Sequence, residues 1–311
     1  MASRRRVEIV IVGGGPAGLS AALVLGRCRR EVVVFDDGTY RNRDARELRG
    51  FLTRDGTPPR ELRRIAHDEL SRYSTVSVVP GTVAEVRPID GRFALLTTAG
   101  QQVDCDAVLL ATGFRDLQPA IGGVPELHGD LVVPCPYCDA WEVRDQPLAA
   151  FSHPDDRGAR FALVLGQWSS DIVFCSEERP QIADGLRREL TARGVRVEHR
   201  ELRSVERERD GVRLVFTEGG SLWRRKLFYH LGGSPASTLA ARAGAKVDDK
   251  GSVEVDAKGA SSISGLFVAG DATRDVLQAI VAAGEGASAG VTINEYLCGK
   301  ETYAKPSAQN L

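Results

Sequence analysis

The chain opens with a short apolar run, Val7 to Val12 (V-E-I-V-I-V), rich in β-branched residues and ended by glycines. That pattern predicts a buried strand. Alanine and leucine recur from Pro16 to Arg29, which predicts a helix, and Glu31 to Phe35 predicts a second buried strand. Together they form one β-α-β unit. The polar stretch from Gly38 to Pro59 has no clear period and reads as extended loop. Arg60 to Tyr73 follows as a charged helix. Val76–Val79, Gly81–Val86, Phe93–Thr97 and Gln102–Leu110 alternate or run apolar and read as strands, closed by Ala111-Thr112-Gly113.

A second, degraded β-α-β pattern follows proline-rich connections at Pro119, Pro125, Pro134 and Pro136. It comprises a strand at Leu148–Phe151, a helix near Ala159–Leu165 and a strand at Asp171–Cys175. A helix at Ala183–Arg193 and a strand at Val195–His199 extend it. Near the C-terminus, Gly265–Ala269 reads as a short strand and Val276–Tyr296 as mostly helix. At 311 residues the chain suits two domains of about 150 residues each.

Charge narrows the partners. The net charge is -1, so no global field draws the chain to nucleic acid or an anionic membrane. Arg4, Arg5 and Arg6 are expected to be a solvated tail. The glycines after Val12 interrupt the pattern of a secretory leader, and no apolar stretch is long enough to span a bilayer. The expected location is the cytoplasm. Of six cysteines, Cys28, Cys105, Cys175 and Cys298 sit in or beside apolar runs and are expected to be buried.

Gly13-Gly14-Gly15-Pro16-Ala17-Gly18 fits the dinucleotide pattern G-x-G-x-x-G. It follows a predicted strand, opens a predicted helix and precedes Asp36 at the end of the next strand, the context that gives the pattern meaning. Gly13 allows the tight turn, Gly15 lets the main chain approach a pyrophosphate, and Gly18 lets helix and strand meet closely. The helix start supplies free N–H groups to phosphate. Asp36, or its neighbour Asp37, would accept ribose hydroxyls. The fingerprint by itself does not separate FAD from NAD.

The other two cysteines form Pro134-Cys135-Pro136-Tyr137-Cys138-Asp139, the single C-x-x-C of the chain. Such a pair reads as zinc ligands, as a redox pair or as neither. Zinc would need two further ligands, and the five histidines supply no H-x-x-x-H, so no metal is expected. Asp139 reads as a proton carrier or as an ordinary helix-start carboxylate. His128 reads as a base or as a surface turn histidine. Tyr137 and Trp141 would line a pocket for a flat substrate or simply join aromatic packing.

With Ala111-Thr112-Gly113 and Gly265-Leu266-Phe267-Val268-Ala269-Gly270-Asp271-Ala272, the chain resembles the two-dinucleotide-domain flavoproteins, and over its whole length the low-molecular-weight thioredoxin reductases. The resemblance implies an α/β fold of two Rossmann-like, three-layer domains, the second inserted in the first. The FAD-binding domain would span 1–117 and 245–311. The inserted NADPH-type domain, 118–244, would carry the cysteines. It implies FAD contacts at Thr112, Gly113, Gly270, Asp271, Gln278 and Ala279, besides Gly13, Gly15, Pro16, Ala17, Gly18 and Asp36 or Asp37. Asn42 and Val83 join these expected contacts. It further implies a homodimer, Cys138 facing the flavin, Cys135 exchanging with substrate, and Asp139 moving the proton.

The inserted domain departs from a reductase. Where a glycine-rich turn should meet NADPH stands Ser152-His153-Pro154-Asp155-Asp156-Arg157-Gly158, and where arginines should hold a 2′-phosphate stands Cys175-Ser176-Glu177-Glu178-Arg179. Carboxylates oppose phosphate at such positions. With C-P-Y-C and Gly166-Gln167-Trp168-Ser169, the chain is similar to the dithiol oxidases of natural-product pathways, which close disulfides in compounds of the holomycin and gliotoxin type. That likeness implies a small-molecule dithiol substrate and molecular oxygen as acceptor. The alternative is an NADPH-dependent, thioredoxin reductase-like disulfide reductase.

Overall fold

A computed structural model describes residues 5–249, 251–273 and 276–304. Two compact units emerge, the first from 1–41, 60–115 and 234–311, the second from 42–59 and 116–233. The division differs from the expected boundaries at two places. Residues 42–59 cluster with the second unit, and the chain is back in the first by Ser234, because Leu239, Ala240 and Ala245 are already part of its hydrophobic core.

In the first unit, β1 (Arg5–Val12), α1 (Pro16–Arg27), β2 (Val32–Asp36), α2 (Pro59–Leu70), β3 (Val76–Pro80), β4 (Val83–Ile89), β5 (Arg92–Thr97) and β6 (Gln102–Leu110) follow one another. The sheet order is β3-β2-β1-β6-β5-β4. β1, β2, β3 and β6 run parallel, while β4 and β5 form an antiparallel flank. Val10 and Val108 face one core and Ile9, Ile11 and Leu109 the other, which is why these central strands are apolar almost throughout. Arg5 and Arg6 are not a tail: they open β1 in register with Val103 and Asp104, and Arg6 lies 3.6 Å from Asp106. Arg4 falls outside the described residues.

The chain crosses over at β7 (Phe114–Asp116). The second unit then holds α3 (Val124–Leu127), β8 (Val132–Val133), α4 (Pro136–Asp139), a 3-10 turn at Trp141–Val143, β9 (Leu148–Ser152), α5 (Asp156–Leu165), β10 (Ile172–Cys175), α6 (Asp184–Ala192) and β11 (Arg196–Glu198). The strands β12 (Leu202–Glu208), β13 (Gly211–Phe216), β14 (Ser221–Arg224) and β15 (Lys226–His230) complete it. Its parallel sheet has the order β11-β10-β9-β15-β8, and β12-β13-β14 form a separate antiparallel sheet.

The return runs through β16 (Gly233–Pro235) and α7 (Leu239–Arg242) to β17 (Leu266–Val268), which pairs with β6, and α8 (Ala279–Ala304). α8 begins at Ala279 and not at Val276, which is largely exposed. It crosses α1 at main-chain distance: a Cβ on Gly286 would strike the Ala17 carbonyl. Small residues thus bring the starts of α1 and α8 together. No helix among the described residues is long and apolar enough to cross a membrane.

Candidate functional site

In the first unit, the strand-to-helix turn leaves a bare helix start. Gly15 is the N-cap of α1 and makes no side-chain capping bond, Pro16 occupies the first turn, and a Cβ on Gly15 would meet open space. Gly13 has φ +113, and a Cβ there would strike the Ala111 carbonyl. A Cβ on Gly18 would likewise strike the carbonyl of Gly13, which explains why three glycines stand at this spacing. Ala17 is buried behind them.

The Asp36 carboxylate lies beside Gly14 at the end of β2, where a Cβ on that glycine would strike it. Its Oδ1 accepts from Gly38 N at 3.0 Å and its Oδ2 from the Tyr40 hydroxyl. Those two bonds leave acceptor capacity for a diol. Burial and then Asp36 itself hold the Tyr40 phenol well above its usual range. Asp37 is engaged in its own turn, accepting from Thr39 N at 2.9 Å.

At the facing edge, Ala111 N donates to Val12 O, and Gly113 has φ +74 and accepts from Ala236 N. Thr112 between them is half-buried. Gly270 (φ +79) donates to Glu285 Oε2 at 3.0 Å, and a Cβ on it would come within 2.9 Å of Ala17 Cβ. Asp271 is held 3.8 Å from Arg41, whose guanidinium also donates to Leu277 O at 2.9 Å. Gln278 O accepts the first α8 bond, from Ala282 N, so Gln278 and Ala279 stand at that helix start. The uncapped α1 start, the α8 start, a carboxylate with acceptor capacity to spare and glycines that admit a close backbone approach form a set that fits FAD. Val83 is buried in the core and offers only its main chain. Asn42 begins the segment that clusters with the second unit.

In the second unit, Cys135 and Cys138 form a disulfide with Cα atoms 5.3 Å apart. Cys135 is the N-cap of α4 and Pro136 its first-turn residue, so the fixed proline φ starts a helix that carries Cys138 back towards its partner. Cys138 N and Asp139 N both donate to Cys135 O at 3.2 Å. Asp139 is half-buried, with Lys226 Nζ 3.5 Å from its Oδ1. Burial pushes its carboxyl above the usual range, and the lysine opposes that rise without cancelling it. Lys226, buried at 9% exposure, has no marker in the sequence: its place depends on β15 pairing with β8 and β9.

Tyr137 and Trp141 are 66% and 62% exposed, so they do not join the core. Tyr137 meets Trp168 edge-on at 5.6 Å, and the Arg144 guanidinium covers one face of Trp141 at 4.2 Å. His128 is half-buried: its Nε2 lies 3.0 Å from the Tyr229 hydroxyl and its Nδ1 3.8 Å from Asp44. Cys105 and Cys175 are buried, and burial pushes the Cys175 thiol up to about 12. Cys28 and Cys298 are exposed, against expectation, because one caps the end of α1 and the other lies on the outer part of α8. Among the described residues no group of three or more His, Cys, Asp or Glu could hold a metal.

The helix start of β9-α5-β10 is closed by its own side chains. Asp155 is the N-cap of α5 and accepts from Arg157 N at 2.9 Å and Gly158 N at 3.1 Å, while the Arg157 guanidinium folds back onto its other oxygen. Burial raises this carboxyl, but the bonds from Gly158 and Arg157 outweigh it and hold it below the usual range. Asp156 accepts from Ala183 N at 2.8 Å. Beyond β10, burial chiefly, and then Glu201 and Glu178, raise the Glu177 carboxyl. The nearby Arg200 is committed to Glu198 at 2.7 Å and to the face of Phe216 at 4.2 Å.

Comparison with known proteins fits this geometry. A probable thioredoxin reductase of Arthroderma benhamiae is 31% identical over 87% of this chain and 75% of its own. The thioredoxin reductase sirT of Leptosphaeria maculans is 28% identical over 96% of both chains. Among solved structures, HlmI superposes with a TM-score of 0.89 at 30% identity, covering 98% of this chain and 97% of its own. The chain is a thioredoxin reductase-like FAD oxidoreductase. The pattern of the pyridine nucleotide-disulphide oxidoreductases matches residues 7–166 and 169–287, and the chain belongs to that family.

Proposed function

We propose that the protein is an FAD-dependent dithiol oxidase that closes an intramolecular disulfide in a small-molecule natural product. The observation that carries this reading is the α5 start, where Asp155 occupies the N–H groups a pyridine nucleotide phosphate would need. Electrons therefore enter as a dithiol and not as NADPH. The likeness of C-P-Y-C and Gly166-Gln167-Trp168-Ser169 to the natural-product dithiol oxidases supports the same direction. The relatives' name, thioredoxin reductase, which tcpT and sirT share, favours an NADPH-dependent disulfide reductase instead. The self-capped helix and the acidic rim of Glu177, Glu178 and Glu201 weigh against that second reading.

The residues divide the work. A substrate thiolate attacks Cys135 and forms a mixed disulfide, releasing Cys138. The second substrate thiolate then displaces Cys135, so the product leaves as a cyclic disulfide and the enzyme pair is left reduced. Asp139 takes the proton of an attacking thiol and returns it to the departing sulfur. Gly13, Gly15, Gly18, Asp36, Asp271 and the α8 start would hold FAD, which would supply a two-electron acceptor between the reduced cysteine pair and oxygen. The overall change is one dithiol and one O2 giving one disulfide and one H2O2.

Cys135→Ser and Cys138→Ser should each reduce dithiol turnover, followed as oxygen consumption, to background while the purified protein keeps its FAD. A Cys135→Ser enzyme turning over a small dithiol at the parent rate would remove the cysteine relay from the mechanism.

A further inference from the structure

We infer that Lys226 is a positioning residue of the dithiol site: its ammonium group keeps the Asp139 carboxylate ionised, and so able to accept a thiol proton. The inference rests on the reading of Asp139 as the proton carrier of the cysteine pair.

Lys226 opens β15, ahead of Leu227 and Phe228, which are fully buried. A lysine at such a place is uncommon unless paired. The sheet leaves it no freedom of position along the strand. Leu227 and Phe228 stand in register with Val132 and Val133 of β8, and Leu227 N donates to Leu131 O at 2.9 Å. β8 leads through Pro134 directly into Cys135 and α4. The strand pairing that builds the sheet therefore also sets the lysine against the helix that carries the cysteines, with Nζ 3.5 Å from Asp139 Oδ1.

Three charged groups act on Asp139, each from a different segment. They are Lys226 from β15, Glu142 from the 3-10 turn, and Arg49 from the 42–59 segment. Arg49 and Glu142 are themselves paired at 3.2 Å, so their effects on Asp139 largely oppose each other. Burial drives the carboxyl towards its protonated form, and Lys226 is the principal group resisting that drift. Without it the carboxyl would hold its proton to higher pH and could not receive another.

The step served is balanced without further reactants. Two substrate thiols and the Cys135–Cys138 disulfide become one substrate disulfide and two enzyme thiols. The substrate is oxidised and the enzyme pair reduced. The proton lost by the attacking thiol passes through Asp139 to the sulfur released from the broken bond.

The test uses the holoenzyme and dithiothreitol as probe. The rate of reduction of the Cys135–Cys138 disulfide is followed against pH by rapid quenching and thiol alkylation. In parallel, the infrared carboxylic-acid band that disappears in Asp139→Asn reports the carboxyl itself. Lys226→Met should move the acid limb of the rate profile and the band's midpoint upward together, by about one to three pH units. Lys226→Arg should restore the parent profile. Lys226→Met combined with Asp139→Asn should match Asp139→Asn alone.

Slower reduction by Lys226→Met with an unmoved midpoint would make the lysine a packing residue and overturn the inference. Should Lys226→Met fail to fold, the double variant decides. It leaves no buried charge unpaired, so folding with the Asp139→Asn profile supports the inference. Failure to fold while Asp139→Asn folds would overturn it. Parent rate and profile in Asp139→Asn would instead bring down the reading of Asp139, an outcome separate from a failure of Lys226.

Discussion

The two β-α-β units use the same backbone plan and finish the helix start in opposite ways. In β1-α1-β2 the N-cap is Gly15, without a side-chain bond, and the N–H groups of the first turn are left for a ligand. In β9-α5-β10 the N-cap is Asp155, and the chain's own carboxylate takes two of those N–H groups. One start has been kept as an anion cradle, while the other has been turned into a self-sufficient helix cap. The fold alone therefore says little about what either unit binds, and the residues at the turn say much more.

The largest effect should come from closing the open cradle. Gly13→Ala would place a Cβ against the Ala111 carbonyl at a φ of +113, a conformation that costs a non-glycine residue about 1–3 kcal/mol before the clash is counted. The purified variant should carry almost no FAD by absorbance. Retention of a full complement would show that the turn does not serve the cofactor.

A smaller effect is expected at the capped start. Asp155→Ala should lower stability by about 0.5–2 kcal/mol in denaturant unfolding, the range for a lost N-cap, and towards its low end because the carboxylate is partly exposed. The sign with pH follows from its depressed carboxyl. The contribution is present above the ordinary carboxylate range and fades as pH falls through the lowered value, so parent and variant should converge in acid. Equal stability of the two at neutral pH would mean the cap carries no weight.

The contrast also explains what could be read from the sequence. The first β-α-β unit is legible because a short β-branched run, three glycines and an acidic strand end are all local signals. Asp155 and Asp156 were visible as carboxylates, but the capping bonds to Arg157 and Gly158 that make them a plug appear only in three dimensions. Lys226 carried no signal, because its burial is decided by β8 and β9, far away in sequence. The strands β12 to β14 escaped because arginine and glutamate interrupt their apolar positions, and a register shift between Leu202 and Ser204 breaks the two-residue period. The setting of His128 is hidden for a related reason: Tyr229, its hydrogen-bond partner, arrives from β15.

The most direct measurement adds NADPH and then a small dithiol to the oxidised holoenzyme without oxygen, following flavin absorbance. With α1 open and α5 closed, the dithiol should bleach the flavin promptly, and NADPH should leave it unchanged or reduce it only very slowly. Rapid, saturable bleaching by micromolar NADPH would contradict the account and return the protein to the NADPH-dependent reductases.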